Sequence, residues 1–195
     1  MGYPRHIKPN YGLDVANCFV ASLGAPALAS ANRYVTSTNM KVGAYTVANA
    51  ASADGLARNL VATITAVTGN DTPGVLVITG TGADDRALTE TLTLVAGGTA
   101  TGLKCFKTVT SIVGSGWVIN TGNDTIVVGT GNKIQLPKAV HQSPAAVTAG
   151  VFMVVLGTSV VAVSAQIDDD ISKSWVDASA GTYDGSKKLY AFVLR

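Results

Sequence analysis

The sequence predicts an all-β protein, a β-sandwich or barrel-like domain with an extended N-terminal arm. Three observations lead there. From Arg58 onward, short segments alternate apolar and polar residues with the period of two that belongs to a strand. Clusters of Gly, Asn, Asp and Pro separate these segments at nearly regular spacing, as turns do. No stretch sustains the period of a long helix, and the Ala-rich run Val47–Leu60 has room for a short one at most.

Residues 1–57 read as the arm. Pro4, Pro9 and Pro26 interrupt them, Ala and Asn are frequent, and no periodicity persists. Pro4 and Pro9 impose extended backbone, and Arg5, His6 and Lys8 make the tip mildly basic. Such a segment cannot build a core of its own, so it is expected to lie on another chain. Residues 58–195 read as the β domain. Leu60, Ala62, Ile64 and Ala66 fall on one face of the first strand; Val61, Thr63, Thr65 and Val67 fall on the other. The sequence GNDTPG at 69–74 predicts a turn, with Val75–Thr79 as the return strand. Gly80–Arg86 connects to a strand in which Leu88, Glu90, Leu92 and Leu94 alternate with Thr89, Thr91, Thr93 and Val95, ended by Gly97 and Gly98. Lys104–Val113, Trp117–Ile119, Asp124–Gly129, Val151–Leu156 and Val160–Ala165 continue the series. Asp184-Gly185 predicts a closing hairpin whose last strand is Leu189–Leu194.

Composition narrows the function classes. Of 195 residues, 13% are charged and 47% hydrophobic, with only 6% aromatic. An ordinary domain carries roughly 25% charged residues, and the mean hydropathy of +0.33 is correspondingly high. Intrinsic disorder needs the opposite balance. A net charge of +2 offers little to a phosphate backbone, so no nucleic-acid partner is expected. Apolar surface on this scale calls for partners that cover it. The Thr residues recurring on the second strand face suit water, and with so few charges they also suit a protein contact.

Two segments imitate membrane signals. Cys18–Ala31 resembles a short signal core, but Asp14 and Pro26 interrupt it. The charge-free stretch Ala145–Ile167 has bilayer-spanning length, yet β-branched residues flank Gly157-Thr158-Ser159, which reads as two buried strands and a turn. No membrane partner is expected.

Chemistry-bearing motifs are sparse. Cys18 and Cys105 are the only cysteines, enough for one bridge but not for a disulfide framework or a four-thiolate zinc site. His6 and His141 stand alone. Gly129-Thr130-Gly131-Asn132-Lys133 lacks the spacing of a phosphate loop, and Gly80-Thr81-Gly82 lacks a third glycine, so both read as β-turns. Asp168-Asp169-Asp170 offers oxygens to a hard cation without EF-hand spacing and reads as a solvated loop. Glu90, the only Glu, lies between Leu88 and Leu92, where an ion-pair partner such as Arg58 or Arg86 is expected. Trp117, Trp175, Tyr183 and Tyr190 are the aromatics available to a sugar-binding surface, and packing accounts for them more simply. No catalytic residue, cofactor or metal is assigned, and the chain is not expected to be an enzyme.

The run RNLVATITAVTGNDTPGVLVITGTGADDRALTETLTL and then TGLKCFKTVTSIVGSGWVINTGNDTIVVGTGNKIQLP, from Arg58 to Pro137, resembles a β-rich module of tailed-bacteriophage virion proteins. In that module a strand ending in ITGTD leads through a polar turn to TETVTL, followed by KAFKTVTSI and VGTGxKxGLP. The matching residues are Ile78-Thr79-Gly80-Thr81, Thr89-Glu90-Thr91-Leu92, Phe106-Lys107-Thr108-Val109, and Val128-Gly129-Thr130-Gly131 through Leu136-Pro137. Cys105 stands where the pattern often has Ala, and Gln135 where Gly is common. The resemblance implies a structural protein of the virion. Capsid decoration is the expectation, with the major capsid protein as partner and self-association, as in trimers at three-fold positions. A tail-tube, neck or connector subunit is the alternative, and a carbohydrate-binding or adhesion sandwich a further one. Composition and position nominate interface residues: Arg5, Lys8, Tyr11 and Phe19 in the arm as anchors on a neighbouring chain, and Tyr190 and Phe192 in the closing strand as part of the sheet core or a subunit seam.

Overall fold

Strands dominate the computed structural model, which describes residues 18–66, 71–137, 150–168 and 170–194. In chain order they are β1 (Cys18–Ser22), β2 (Val35–Asn39), β3 (Ala44–Tyr45), β4 (Arg58–Thr65), β5 (Val75–Thr81), β6 (Ala87–Thr93) and β7 (Thr99–Phe106). There follow β8 (Thr108–Ser115), β9 (Thr125–Gln135), β10 (Gly150–Leu156), β11 (Ser159–Val160), β12 (Ser164–Gln166), β13 (Trp175–Asp177) and β14 (Leu189–Leu194). They pair antiparallel into three sheets: β3-β8-β5-β6, β12-β13-β9-β4-β7 with β2 also on β9, and β1-β14-β10-β11. The fold is all-β and barrel-like, as the alternation predicts.

Two apolar cores explain the three sheets. Leu60, Ala62 and Ile64 of β4, with Phe106 of β7 and Ile126 of β9 from the same sheet, share a first core with Leu76 and Ile78 of β5 and Ile112 of β8. A second core collects Ala21, Ile134, Leu136, Val154, Leu156, Val176, Leu189, Ala191 and Val193. Strand β9 serves both. Its Ile126 and Val128 lie in the first core and its Ile134 in the second. On one edge it pairs first with β2 and then with β13, while β4 holds the other edge.

A strand bridges two cores only if it bends, and bulges supply the bend. Between Arg58 and Leu60, β4 advances two residues while β9 runs from Ile134 to Thr130. Between Asn59 and Val61, β7 likewise runs from Cys105 to Thr101. The extra residues leave backbone groups off the ladder, and buried side chains meet them. The Arg58 guanidinium donates from Nη1 to Gly131 O at 3.0 Å and from Nη2 to Ala27 O at 2.6 Å. Asn59 accepts from Lys133 N–H at 3.1 Å and donates to Gly102 O at 3.3 Å. Arg58, 1% exposed, is balanced by Asp54 at 2.5 Å. Asp54 also accepts from Ala27 N–H, Leu56 N–H and the Ser52 hydroxyl. Burial alone would raise its pKa, but the Ala27 N–H and the Arg58 guanidinium hold it below the usual carboxylate value.

Several sequence expectations are corrected. Residues 1–17 of the expected arm lie outside the described residues, but 18–57 are not structureless: β1, β2 and β3 pair with β14, β9 and β8. Val47–Leu60, whose composition leaves room for a short helix at most, runs as loop and turn into β4. Strands β4 and β5 form no hairpin, since they belong to different sheets. Lys104–Val113 breaks at Lys107, where the chain crosses from one sheet to another. Trp117–Ile119 contributes only the single bridge Thr72↔Val118. The closing strand β14 does form, but its partners are β1 and β10 rather than the segment just before it.

The glycine motifs are likewise not both turns. Gly129–Lys133 lies within β9, and Gly80-Thr81 ends β5. Their role is close approach. A Cβ at Gly129 would overlap the Ser30 carbonyl oxygen, and one at Gly131 would overlap the Asn59 side-chain amide. Replacing Arg58 with Met is expected to lower the unfolding free energy by about 3–5 kcal/mol, because Asp54 is left as an uncompensated buried charge. Equilibrium urea unfolding reads this directly.

Candidate docking surface

Strand alternation gives the β1-β14-β10-β11 sheet two different faces. Ala21, Leu189, Ala191, Val193, Val154 and Leu156 point into the second core. On the other face the register sets Val20 beside Phe192 and Met153, Ser22 beside Tyr190 and Val155, and Val155 beside Val160. None of these outward residues is charged. Val20 is 49% exposed and Val160 69%, while Met153, Val155, Tyr190 and Phe192 are half-buried. This is apolar surface of the kind that marks a protein contact.

The sequence-nominated interface residues divide accordingly. Tyr190 and Phe192 share this outer face, placed there by the alternation of β14. Phe19 belongs to β1, its backbone opposite Val193. Arg5, Lys8 and Tyr11 lie outside the described residues, as do His6 and His141. Residues Val20, Met153, Val155 and Val160 were missed. For Met153 and Val155 the signal was the same alternation, hidden because Val151–Leu156 is apolar at every position and a period of two cannot be read there.

A second uncharged face covers the β3-β8-β5-β6 sheet. Thr89, Thr91 and Thr93 of β6 stand beside Thr79, Val77 and Val75 of β5, and Val113 of β8 is 40% exposed. The Thr positions read from β6 therefore gather with those of β5 on one wall, while Thr63 and Thr65 of β4 lie in another sheet.

Other candidate chemistry is absorbed by structure. Asp168 accepts from Asp170 N–H and Gln166; Asp170 accepts from the Ser172 N–H and hydroxyl and pairs with Lys104 and Lys173. Asp169 lies outside the described residues. Among the described residues, no three His, Cys, Asp or Glu side chains gather as a metal site. Cys105 is a free, fully buried thiol, so no Cys18–Cys105 bridge forms. Residues 150–167 of the charge-free stretch form β10, β11 and β12 around a turn at Gly157-Thr158; β10 contributes to the core, whereas β11 is exposed. No helix among the described residues is long and apolar enough to cross a membrane.

The aromatics are dispersed rather than stacked into a platform. Tyr183 is buried beneath the Arg58 guanidinium at 5.6 Å, and its hydroxyl accepts from Ala178 N–H at 2.7 Å. Burial pushes its pKa up to about 12. The Trp175 ring carries the Lys133 ammonium at 4.2 Å, and Trp117 packs against Gly43. A groove of about 380 Å³ opens between these elements, lined by Asn59, Val61, Thr101, Lys133 and Asp177 among others, but Asn59 and Lys133 are already engaged as described.

No protein-family model, no curated protein and no solved structure matches this chain. The surface is therefore read on its own chemistry. Introducing a charge at its most exposed position, Val160→Asp, is expected to change stability by less than about 0.5 kcal/mol. The same change should reduce binding of a hydrophobic dye such as bis-ANS; undiminished fluorescence would mean the face is not the apolar surface in contact with solvent.

Proposed function

We propose that the protein is a structural component of a tailed-bacteriophage virion, one that decorates the capsid and stabilises it by clamping neighbouring major capsid subunits. The observation that carries this reading is the charge-free outer face of the β1-β14-β10-β11 sheet, found in a chain with only 13% charged residues. The phage-like module of residues 58–137 supports it. Within this reading the chain is a building part and not an enzyme.

The mechanism is cooperative attachment. The outer face presents Val20, Val155, Tyr190 and Val160 to a capsid surface, and β1 is the sheet's edge among the described residues. Each contact is modest, but engagement at several joints multiplies affinity through effective concentration. Strand addition at a sheet edge is a recurrent docking mode. Self-association into a trimer at capsid three-fold positions fits the same design. No nucleic acid or membrane takes part, and the protein, made in the host cytoplasm, resides on the capsid surface.

The decisive experiment compares particles with and without the protein. Particles lacking it should release DNA at lower temperature, and adding the purified chain should restore the wild-type release temperature. Unchanged release would refute decoration, and a copy number matching one ring per particle would move the protein to the neck or tail. A variant lacking residues 1–17 should stay folded and lose most particle binding. Truncation through residue 30 is unsuitable, because it removes β1 and the Ala27 carbonyl that Arg58 binds.

A further inference from the structure

Glu90 does not find the ion-pair partner expected for it. Arg58 is committed to Asp54, and Arg86 lies on the surface beside Asp84. The carboxylate instead spans a gap in the fold. Strands β6 and β7 follow one another in the chain but belong to different sheets, and no backbone ladder joins them among the described residues. Glu90 projects from β6, and its Oε1 accepts from Leu103 N–H at 2.7 Å and from Lys104 N–H at 3.1 Å, both in the bulged part of β7. The bulge turns two successive amides toward one oxygen. Lys104 closes the same seam from the other side, donating to Thr89 O at 3.0 Å.

The other carboxylate oxygen is in a different position. Oε2 is buried and has no hydrogen-bond partner, in a residue only 8% exposed. It fits because position 102 is glycine, where a Cβ would stand 2.7 Å from it. An ionised carboxylate here has one oxygen well served and one desolvated and unserved, a costly arrangement. Protonated on Oε2, the group keeps both Oε1 hydrogen bonds and exchanges a buried charge for a neutral hydroxyl, whose burial costs less.

We propose that Glu90 is a proton-controlled latch on the β6–β7 seam, holding the barrel wall closed when protonated and loosening it when ionised. The charged and titratable groups facing it are few. Lys104 on β7 and Lys133 on β9 favour the ionised form, though Lys104 is partly neutralised by Asp170 at 3.8 Å. The Cys105 thiol on β7 is pushed up by burial and stays neutral. Burial outweighs the two N–H bonds and the lysines, so the Glu90 carboxyl titrates above its ordinary value of 4.5.

The sign follows from linkage. A carboxyl with a raised folded pKa contributes full stability below the unfolded value, and that contribution is lost as pH rises through the folded pKa. The window therefore opens near 4.5 and extends upward. Asp54, whose pKa is lowered, acts in the opposite sense and only at more acidic pH.

Because Glu90 is the only Glu, selective carbon-13 labelling of glutamate gives one side-chain carboxyl resonance, titratable in the intact chain. A midpoint above 4.5 is expected, and a midpoint at or below 4.5 would overturn the latch. Amide exchange supplies the second readout. Protection of Leu103 and Lys104, corrected for intrinsic rate, should fall as pH rises, by about tenfold for each unit by which the folded pKa exceeds the unfolded one. In Glu90→Gln, whose amide oxygen keeps both N–H bonds without a charge, this fall should vanish. Equal pH dependence of protection in the wild type and Glu90→Gln would refute the proposal.

Discussion

Strand β4 is flanked by two strands that each spend more residues than it does over the same stretch, and the fold rests on how Arg58 and Asn59 meet the backbone groups this mismatch sets free. Without the bulges, β9 could not turn from the first core into the second, nor could β7 deliver the chain to the other sheet. Without the side chains, Gly131 O, Lys133 N–H and Gly102 O would be left short of partners. Arg suits this position because its guanidinium reaches Asp54, Gly131 and Ala27 at once. The charge it brings is matched by a carboxylate whose two oxygens accept five hydrogen bonds between them.

The same economy extends outward from β4. Gly129 and Gly131 let neighbouring backbone and the Asn59 amide come close, and Gly102 leaves room for Glu90. Phosphate-loop look-alikes in the sequence are therefore packing devices. Their glycines admit neighbouring atoms at close range rather than turning the chain around a ligand.

Much of the architecture was legible. Alternation in Arg58–Thr65, Val75–Thr81 and Ala87–Thr93 sorts core from surface residue by residue, because a half-buried strand has only two faces to choose between. Pairing was not legible. A GNDTPG segment looks the same whether the chain returns beside itself or crosses to another sheet, and β1, β2 and β3 are too short to announce themselves. The buried polar residues were half legible. Arg58 and Glu90 were suspected of sharing an ion pair, but which acid meets which base depends on contacts distant in sequence, and Glu90 is served by backbone. For the docking surface, the closing strand's aromatics stood out while the aliphatic half of the same face, on β10 and β11, did not.

The scarcity of charge has a spatial form. Outward positions of the β1-β14-β10-β11 and β3-β8-β5-β6 sheets are Thr, Ser, Ala, Val, Met and aromatic residues, whereas Asp84, Asp85, Asp184 and Lys187 sit on loops. A protein that meets partners with its sheet faces and water with its turns is arranged in this way, and the decoration role proposed for it uses those faces. A cryo-electron microscopy map of the particle that carries the chain tests that role most directly. This fold is expected to repeat across the outer capsid surface at the joints between major capsid subunits, with the Val20–Tyr190–Val160 face turned toward them. Density confined to the neck or tail, or that face turned to solvent, would contradict it.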